Sequence, residues 1–281
     1  MPAIVLSHIQ TAPLVECHRQ GLPSTTLSPD LGLSTVTATL TPVGVHFPDQ
    51  PVIAWDCIEE INSHPTCCFA VSHSQLERLQ QRSPITGRLC GLWPTAAAPA
   101  LVIDGTPMHR IKGIDPSEDT RRKLKPLHPL KGPLLDTATG LGYTAIAASQ
   151  RTGPVFTAEL DPCVAELAGR NPWSTGLFDT DRITRLEGDI RLHLPDFAEA
   201  TFSRILHDPP AFNLAGELYA QTLYDQLHRL LRANGRLFHY IGNPDSPSGQ
   251  RVTRGVVRRL HQAGFSRVQP RPEAFGVLAY K

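Results

Sequence analysis

One turn constrains the fold of this chain more than any other stretch: LLDTATGLGYTA, residues 134–145. A short apolar run ends in Asp136, a turn carrying Gly140 and Gly142 comes next, and an alanine-rich helix opens near Tyr143. Glycines in such a turn remove Cβ clashes where the backbone must approach a ligand, and the first free amides of the helix point at it. A junction of this kind belongs to parallel sheets that hold ligands beyond the carboxyl ends of their strands.

Beyond Ala145 the chain keeps the same grammar. PVFTAEL, ITRLEGD, FSRILHDPP and RLFHYIG read as strands, and PCVAELAGR and VTRGVVRRLHQAG as helices, the second closed by Gly264. Residues 218–235 read as one long amphipathic helix stopped by Gly235, and FSRVQPR and FGVLAYK as a closing pair of strands. Regular alternation predicts an α/β Rossmann-like sheet, doubly wound and mostly parallel, with helices on both faces. The closing hairpin should put one antiparallel strand at the edge.

The first part of the chain is less regular and reads as α+β. Ser7 is placed to cap a short helix running toward Gly21, residues 33–47 alternate as a hairpin around Pro42 and Gly44, and WDCIEEI suits a helix. CCFAV and LVIDG suit strands. KPLHPLKGP, residues 125–133, is rich in proline and marks the expected boundary, giving units 1–128 and 129–281.

Composition excludes several classes. Lys+Arg 27 against Asp+Glu 26 leaves a net charge of +1, without the global field of a nucleic-acid coat. The six cysteines form no CxxC pair and no metal spacing, so no metal is expected, and as thiols they suit a reducing cytoplasm. The opening MPAIVLSHIQ has no basic leader before a long apolar core, and no run approaches the roughly 18–20 apolar residues of a membrane span. A cytoplasmic protein with no membrane partner is the expectation; nothing in the pattern specifies an oligomeric state.

The strand ends carry acids in series. After Asp136, the next strand ends at Glu159, where a carboxylate can accept both hydroxyls of a ribose. The third ends in Gly188-Asp189, where a carboxylate suits an adenine amine. Then comes Asp208-Pro209-Pro210.

This order of loop, ribose acid, adenine acid and Asp-Pro-Pro resembles the class I S-adenosylmethionine-dependent methyltransferases. More narrowly, residues from about 105 onward resemble a family of archaeal and bacterial methyltransferases labelled spermine-synthase-like. The runs that carry the likeness are MHRIKGIDP (108–116), DTATGLGYTAI (136–146), NPWS (171–174), HDPPAF (207–212), AGELY (215–219) and GRLFHYIG (235–242). The resemblance implies S-adenosylmethionine as cofactor, held by Asp136, Ala138, Gly140, Gly142, Tyr143, Glu159 and Asp189, with Tyr143 over the methionine portion. Two positions depart from the pattern. Ala138 stands where the loop usually has glycine, which costs little if its φ is negative. Ala211 stands where the narrower family favours arginine.

Asp-Pro-Pro followed by an aromatic residue is similar to the corner of amine-methylating enzymes. Two prolines fix φ and hold the carbonyl of Asp208 or Pro209 outward, where it and the Asp208 carboxylate can accept from a substrate N–H and aim the nitrogen lone pair. Phe212 falls one place late for the stacking position. His207 is a candidate proton acceptor, or a strand residue facing away from Asp208. His109 and Arg110, with Lys112, are candidate substrate contacts from the first unit. Glu217 and Tyr219, just after the corner, are candidate pocket residues. RRKLK, residues 121–125, reads as a wet helix face, as do Arg251, Arg254, Arg258 and Arg259.

The expected activity is methyl transfer to a nitrogen of a small or medium-sized molecule, with the first unit as a specificity lid. RNA is the alternative acceptor, a reading that steep salt dependence of tRNA binding would support. Aminopropyl transfer of the polyamine-synthase type is a further alternative, against which DTATGLG stands in place of a GGGDG-type loop.

Overall fold

The sheet expected after residue 134 is present in the computed structural model, which describes residues 4–72 and 75–281. The chain falls into two units, one of residues 1–117 with 163–175, the other of residues 118–162 with 176–281.

In the first unit, β1 (Ile4–Leu6) leads into α1 (His8–Arg19), and β2 (Ser24–Leu27), β3 (Val36–Thr41), β4 (Gly44–His46) and β5 (Ile53–Ala54) form an antiparallel meander. Ser7 caps α1 with a full capping box: its hydroxyl accepts from the Ile9 amide, and the Gln10 side chain takes the Ser7 amide. Then come α2 (Trp55–Asn62), β6 (Phe69–Ser72), β7 (Gln75–Arg78), β8 (Gln80–Arg82), β9 (Leu89–Trp93), β10 (Ala100–Ile103) and β11 (Thr106–Pro107). β6 sits between β1 and β7, and β8 to β11 make a second four-stranded sheet. Leu6, Leu14, Ala38, Val45, Ile58, Ile61 and Phe69 fill one core of this unit.

The divide falls at Ser117/Glu118, within α3 (Pro116–Leu124), earlier than the boundary expected at 128. The proline-rich stretch is no loose linker. Arg204, itself 2% exposed, donates to the carbonyls of Leu127 and Pro129, Arg236 donates to that of His128, and Leu127 is fully buried. A buried guanidinium such as that of Arg204 must spend its donors, and with the half-buried Arg236 it fastens this segment to the strands that carry the two arginines.

The second unit is built on β12 (Leu134–Asp136), α4 (Tyr143–Ser149), β13 (Val155–Glu159), α5 (Pro162–Arg170), β14 (Ile183–Glu187), α6 (Ile190–His193), β15 (Phe202–His207), α7 (Gln221–Leu230), β16 (Leu231–Tyr240), α8 (Pro247–Gln262), β17 (Arg267–Arg271) and β18 (Gly276–Tyr280). The residues of α5 from Cys163 on group with the first unit. Strand order is β14-β13-β12-β15-β16-β18-β17, so the order reverses between β12 and β15. β14 to β16 run parallel, and every residue of β15 is buried, as expected of a strand covered on both faces.

Two expectations are corrected. The antiparallel strand is not at the edge: β18 inserts between β16 and β17 and is antiparallel to both, so the edge strand β17 runs with the parallel set. The long helix ends at Leu230 rather than near Gly235. Leu223, Tyr224, Leu227 and Leu230 are its buried stripe, and Leu231 already pairs with Phe202 before the register shifts and Asn234 turns with φ +61°. Among the described residues, no helix is long and apolar enough to cross a membrane.

Candidate active site

Asp136 is fully buried at the end of β12. The Thr144 hydroxyl, from the first turn of α4, donates to its carboxylate at 2.6 Å. Burial pushes its pKa up to about 7, the Thr144 bond works against that rise, and nearby Asp208 adds to it. Glu159, at the end of β13, accepts from the Gly140 amide at 2.8 Å and the Asp161 amide at 3.0 Å. Burial raises it also to about 7 against those two amides. The turn between β12 and α4 is therefore tied to the tip of β13, and Thr139 reinforces this through the Ala158 carbonyl and the Thr157 hydroxyl.

The turn's backbone explains its residues. Gly140 has φ +54° with nothing within 4 Å of where a Cβ would stand, so the space over it is open. Gly142, at φ +78°, is the N-cap of α4, and a Cβ there would lie 2.7 Å from Leu177 Cδ2. Ala138 is not among the described residues with positive φ, so the departure from glycine carries no strain. Tyr143 is buried, at 9% exposed.

Asp189 caps α6, accepting the Arg191 amide at 2.9 Å, and it pairs side-on with the Arg191 guanidinium, which holds its pKa below the ordinary value. Gly188 before it has φ +97° and open space at its Cβ position. β12, β13 and β14 are adjacent and parallel, so Asp136, Glu159 and Asp189 follow one another along one end of the sheet. Asp136 pairs with Leu206, which sets Asp208 just beyond the same end, across the switch point.

Sequence reasoning missed the ion pair at this corner. The Lys123 Nζ, from α3, donates to Asp208 Oδ2 at 2.7 Å, lies 2.9 Å from Asp119 Oδ2, and sits 4.4 Å over the Tyr240 ring. Lys123 is buried, so RRKLK is not a wet face throughout, although Arg121 and Lys125 are exposed. Burial works against its charge, but Asp208 and Asp119 outweigh it and hold the ammonium above its ordinary range. A signal did exist: Asp119 and Lys123 are spaced i,i+4 on one helix, beside the apolar Leu124 and Leu127.

His207 is corrected to a structural residue. It is fully buried, its Nε2 lies 2.8 Å from the Leu218 carbonyl and its Nδ1 2.7 Å from the Thr137 hydroxyl. A carbonyl only accepts, so Nε2 carries the proton and Nδ1 receives the Thr137 hydroxyl. Burial depresses its pKa to about 4, which keeps the ring neutral. His239, paired with it across β15 and β16, is buried too and meets the Tyr224 hydroxyl.

Tyr219 is likewise no pocket residue: at 2% exposed, it donates to the Pro210 carbonyl and so braces the proline corner. Phe212 is 49% exposed and packs edge-on against Tyr219, ring centres 5.3 Å apart. Glu217 is exposed. His109 and Arg110 belong to the first unit, where the Leu101 amide donates to His109 Nδ1 at 3.2 Å. No group of three or more metal-ligating side chains occurs among the described residues.

No family model matches the chain. It is 43% identical over 185 residues to a protein of Methanocaldococcus jannaschii described only as uncharacterized, a match covering 65% of this chain and 64% of that protein. It is 28% identical over 129 residues to the tRNA1(Val) (adenine(37)-N6)-methyltransferase of Photobacterium profundum, covering 43% of this chain and 51% of the enzyme. The chain thus spans just under two thirds of the first relative's length and about half of the second's. A spermidine synthase in complex with the transition-state analogue AdoDATO superposes with a TM-score of 0.59 at 16% identity, over 72% of this chain and 71% of that one. The likeness shows the fold alone: a Rossmann-like, mostly parallel sheet.

Proposed function

We propose that the chain is an S-adenosylmethionine-dependent methyltransferase acting on a nitrogen of a small or medium-sized acceptor. The observation that carries this reading is the series Asp136, Glu159, Asp189 along adjacent parallel strand ends, beside the open glycine turn at Gly140. The cradle fits the cofactor. On this reading Glu159, tied to the turn through the Gly140 amide, would meet the ribose, Asp189 at the start of α6 would meet the adenine edge, and the open space at Gly140 would admit the amino-acid portion.

When bound, S-adenosylmethionine would supply a sulfonium methyl carbon to a nitrogen lone pair, the C–S electron pair leaving with sulfur and the nitrogen's proton going to water. The chain's part is positioning. Asp208 and the Asp208 and Pro209 carbonyls accept from the acceptor's N–H, and the Tyr219–Pro210 bond keeps that corner rigid. His207 takes no proton, since both its ring nitrogens are engaged.

Calorimetry of the full chain with S-adenosylmethionine and S-adenosylhomocysteine tests the reading: absence of binding by both removes it. Replacing Glu159 with Ala should weaken binding at least tenfold, about 1.4 kcal/mol or more. The tRNA methyltransferase relative supports RNA as an alternative acceptor. The fold likeness to spermidine synthase favours a second reading, aminopropyl transfer, which would release methylthioadenosine instead of S-adenosylhomocysteine.

A further inference from the structure

Lys123 is an unusual occupant of an amine-handling corner. Its side chain is 3% exposed, its ammonium lies between the carboxylates of Asp208 and Asp119 at 2.7 and 2.9 Å, and its third side faces the Tyr240 ring at 4.4 Å. Two carboxylates and an aromatic face are what a site would offer to bind a substrate's own alkylammonium group. All four residues lie in the second unit, and of the two carboxylates Asp208, with a side chain 17% exposed, is the one that reaches solvent, beside the half-buried Tyr240.

Resting on the reading of Asp208 as the acceptor's anchor, we infer that Lys123 fills the ammonium place at Asp208 from within the protein, so the acceptor presents a neutral N–H there. The class that fits is a planar amine or amide with no charge on the reacting nitrogen, such as the exocyclic amine of a nucleobase; alkylammonium compounds and polyamines are excluded. Two physical arguments converge. A second cation drawn to Asp208 meets a like charge already seated on the carboxylate, in a site where burial limits screening. An alkylammonium must also lose a proton before it has a lone pair. Neither titratable group of the His207-Asp208 pair is placed to take it, the histidine being fully engaged and the aspartate ion-paired. A neutral amine needs no such base.

The test titrates spermidine, as cationic probe, into the full chain with S-adenosylhomocysteine present, for the wild type, Lys123→Met and Lys123→Met/Asp208→Asn. Wild type should show no binding at millimolar spermidine. Lys123→Met should gain at least about tenfold in affinity, and adding Asp208→Asn should abolish the gain. Micromolar binding by the wild type overturns the inference, as does a folded Lys123→Met that gains nothing. Circular dichroism reports folding; should Lys123→Met be unfolded, Lys123→Gln takes its place, and the wild-type titration decides by itself. S-adenosylhomocysteine affinity, measured in parallel, speaks to the transferase reading separately. Its absence would refute that reading, while the spermidine titrations would still report whether Lys123 holds the ammonium place.

Discussion

At the scale of single residues, charge burial governs this site. Asp136 ordinarily titrates near 3.8 and is raised to about 7, chiefly by burial. The folded state therefore keeps a proton that the unfolded chain releases, so stability falls as pH rises from about 4 to 7 and levels off above. Asp136→Asn should remove much of that loss, because an amide has no charge to desolvate. Urea unfolding at about pH 5 and pH 8.5 should show the variant gaining about 2 kcal/mol over wild type at the higher pH and little at the lower. A wild type whose stability climbs across this interval would contradict the assignment. His207→Leu should act through the core: it leaves the Leu218 carbonyl and Thr137 hydroxyl without their ring partner, costing about 2–4 kcal/mol in chemical denaturation. The strand-end acids were legible because strand, turn and acid recur with a fixed rhythm. Lys123 was legible only through its i,i+4 spacing to Asp119, which lies outside RRKLK; the run by itself does not say which of its cations turns inward. Histidines are similarly opaque: the sequence puts His207 beside Asp208, and only the pleat decides that its ring faces the Thr137 and Leu218 side.

At the scale of elements, the sequence revealed identities better than ends and neighbours. The helix over residues 221–230 was legible from its apolar stripe, but LLRANG has good helix formers and a terminal glycine, so the stripe alone overruns its true end at Leu230. Pairing of Leu231 with Phe202 stops the helix, a tertiary contact no local pattern encodes. The closing hairpin was legible as two strands, while its placement depends on which of them β16 pairs with. The turn before α4 permits a sharper prediction. Gly142→Ala introduces a Cβ in the left-handed region 2.7 Å from Leu177, and should destabilise by about 1–3 kcal/mol while weakening S-adenosylhomocysteine binding. At Gly140 the Cβ position is open, so the same change there keeps a backbone cost without the clash and intrudes on the ligand's space instead. Paired measurements of unfolding midpoint and affinity should therefore show Gly142→Ala as the larger loss in stability.

At the scale of the whole molecule, each unit has a core of its own, one around Leu14, Val45, Ile58 and Phe69, another around Leu135, Phe202, Leu227 and Val277. The acids and the glycine turn lie wholly in the second unit. A ligand that binds there stabilises what it touches by RT ln(1 + [L]/Kd), about 2.7 kcal/mol at a hundredfold excess over Kd. Its effect on amide exchange should therefore be uneven. With S-adenosylhomocysteine, protection should rise over residues 136–144, 159–161 and 188–191, where the turn, the Glu159 bonds and the α6 cap surround the proposed cradle. The meander of β2 to β5 in the first unit should change little, as its strands contribute none of those groups. Hydrogen exchange read by mass spectrometry separates the outcomes. Protection confined to the three strand-end segments supports an adenosyl site built from them, whereas protection centred on residues 93–115 of the first unit would move the ligand to the open recess, about 480 Å³, between Trp93 and Asp115. The second result would leave Asp136 and Glu159 as buried acids whose cost the fold carries for some other reason.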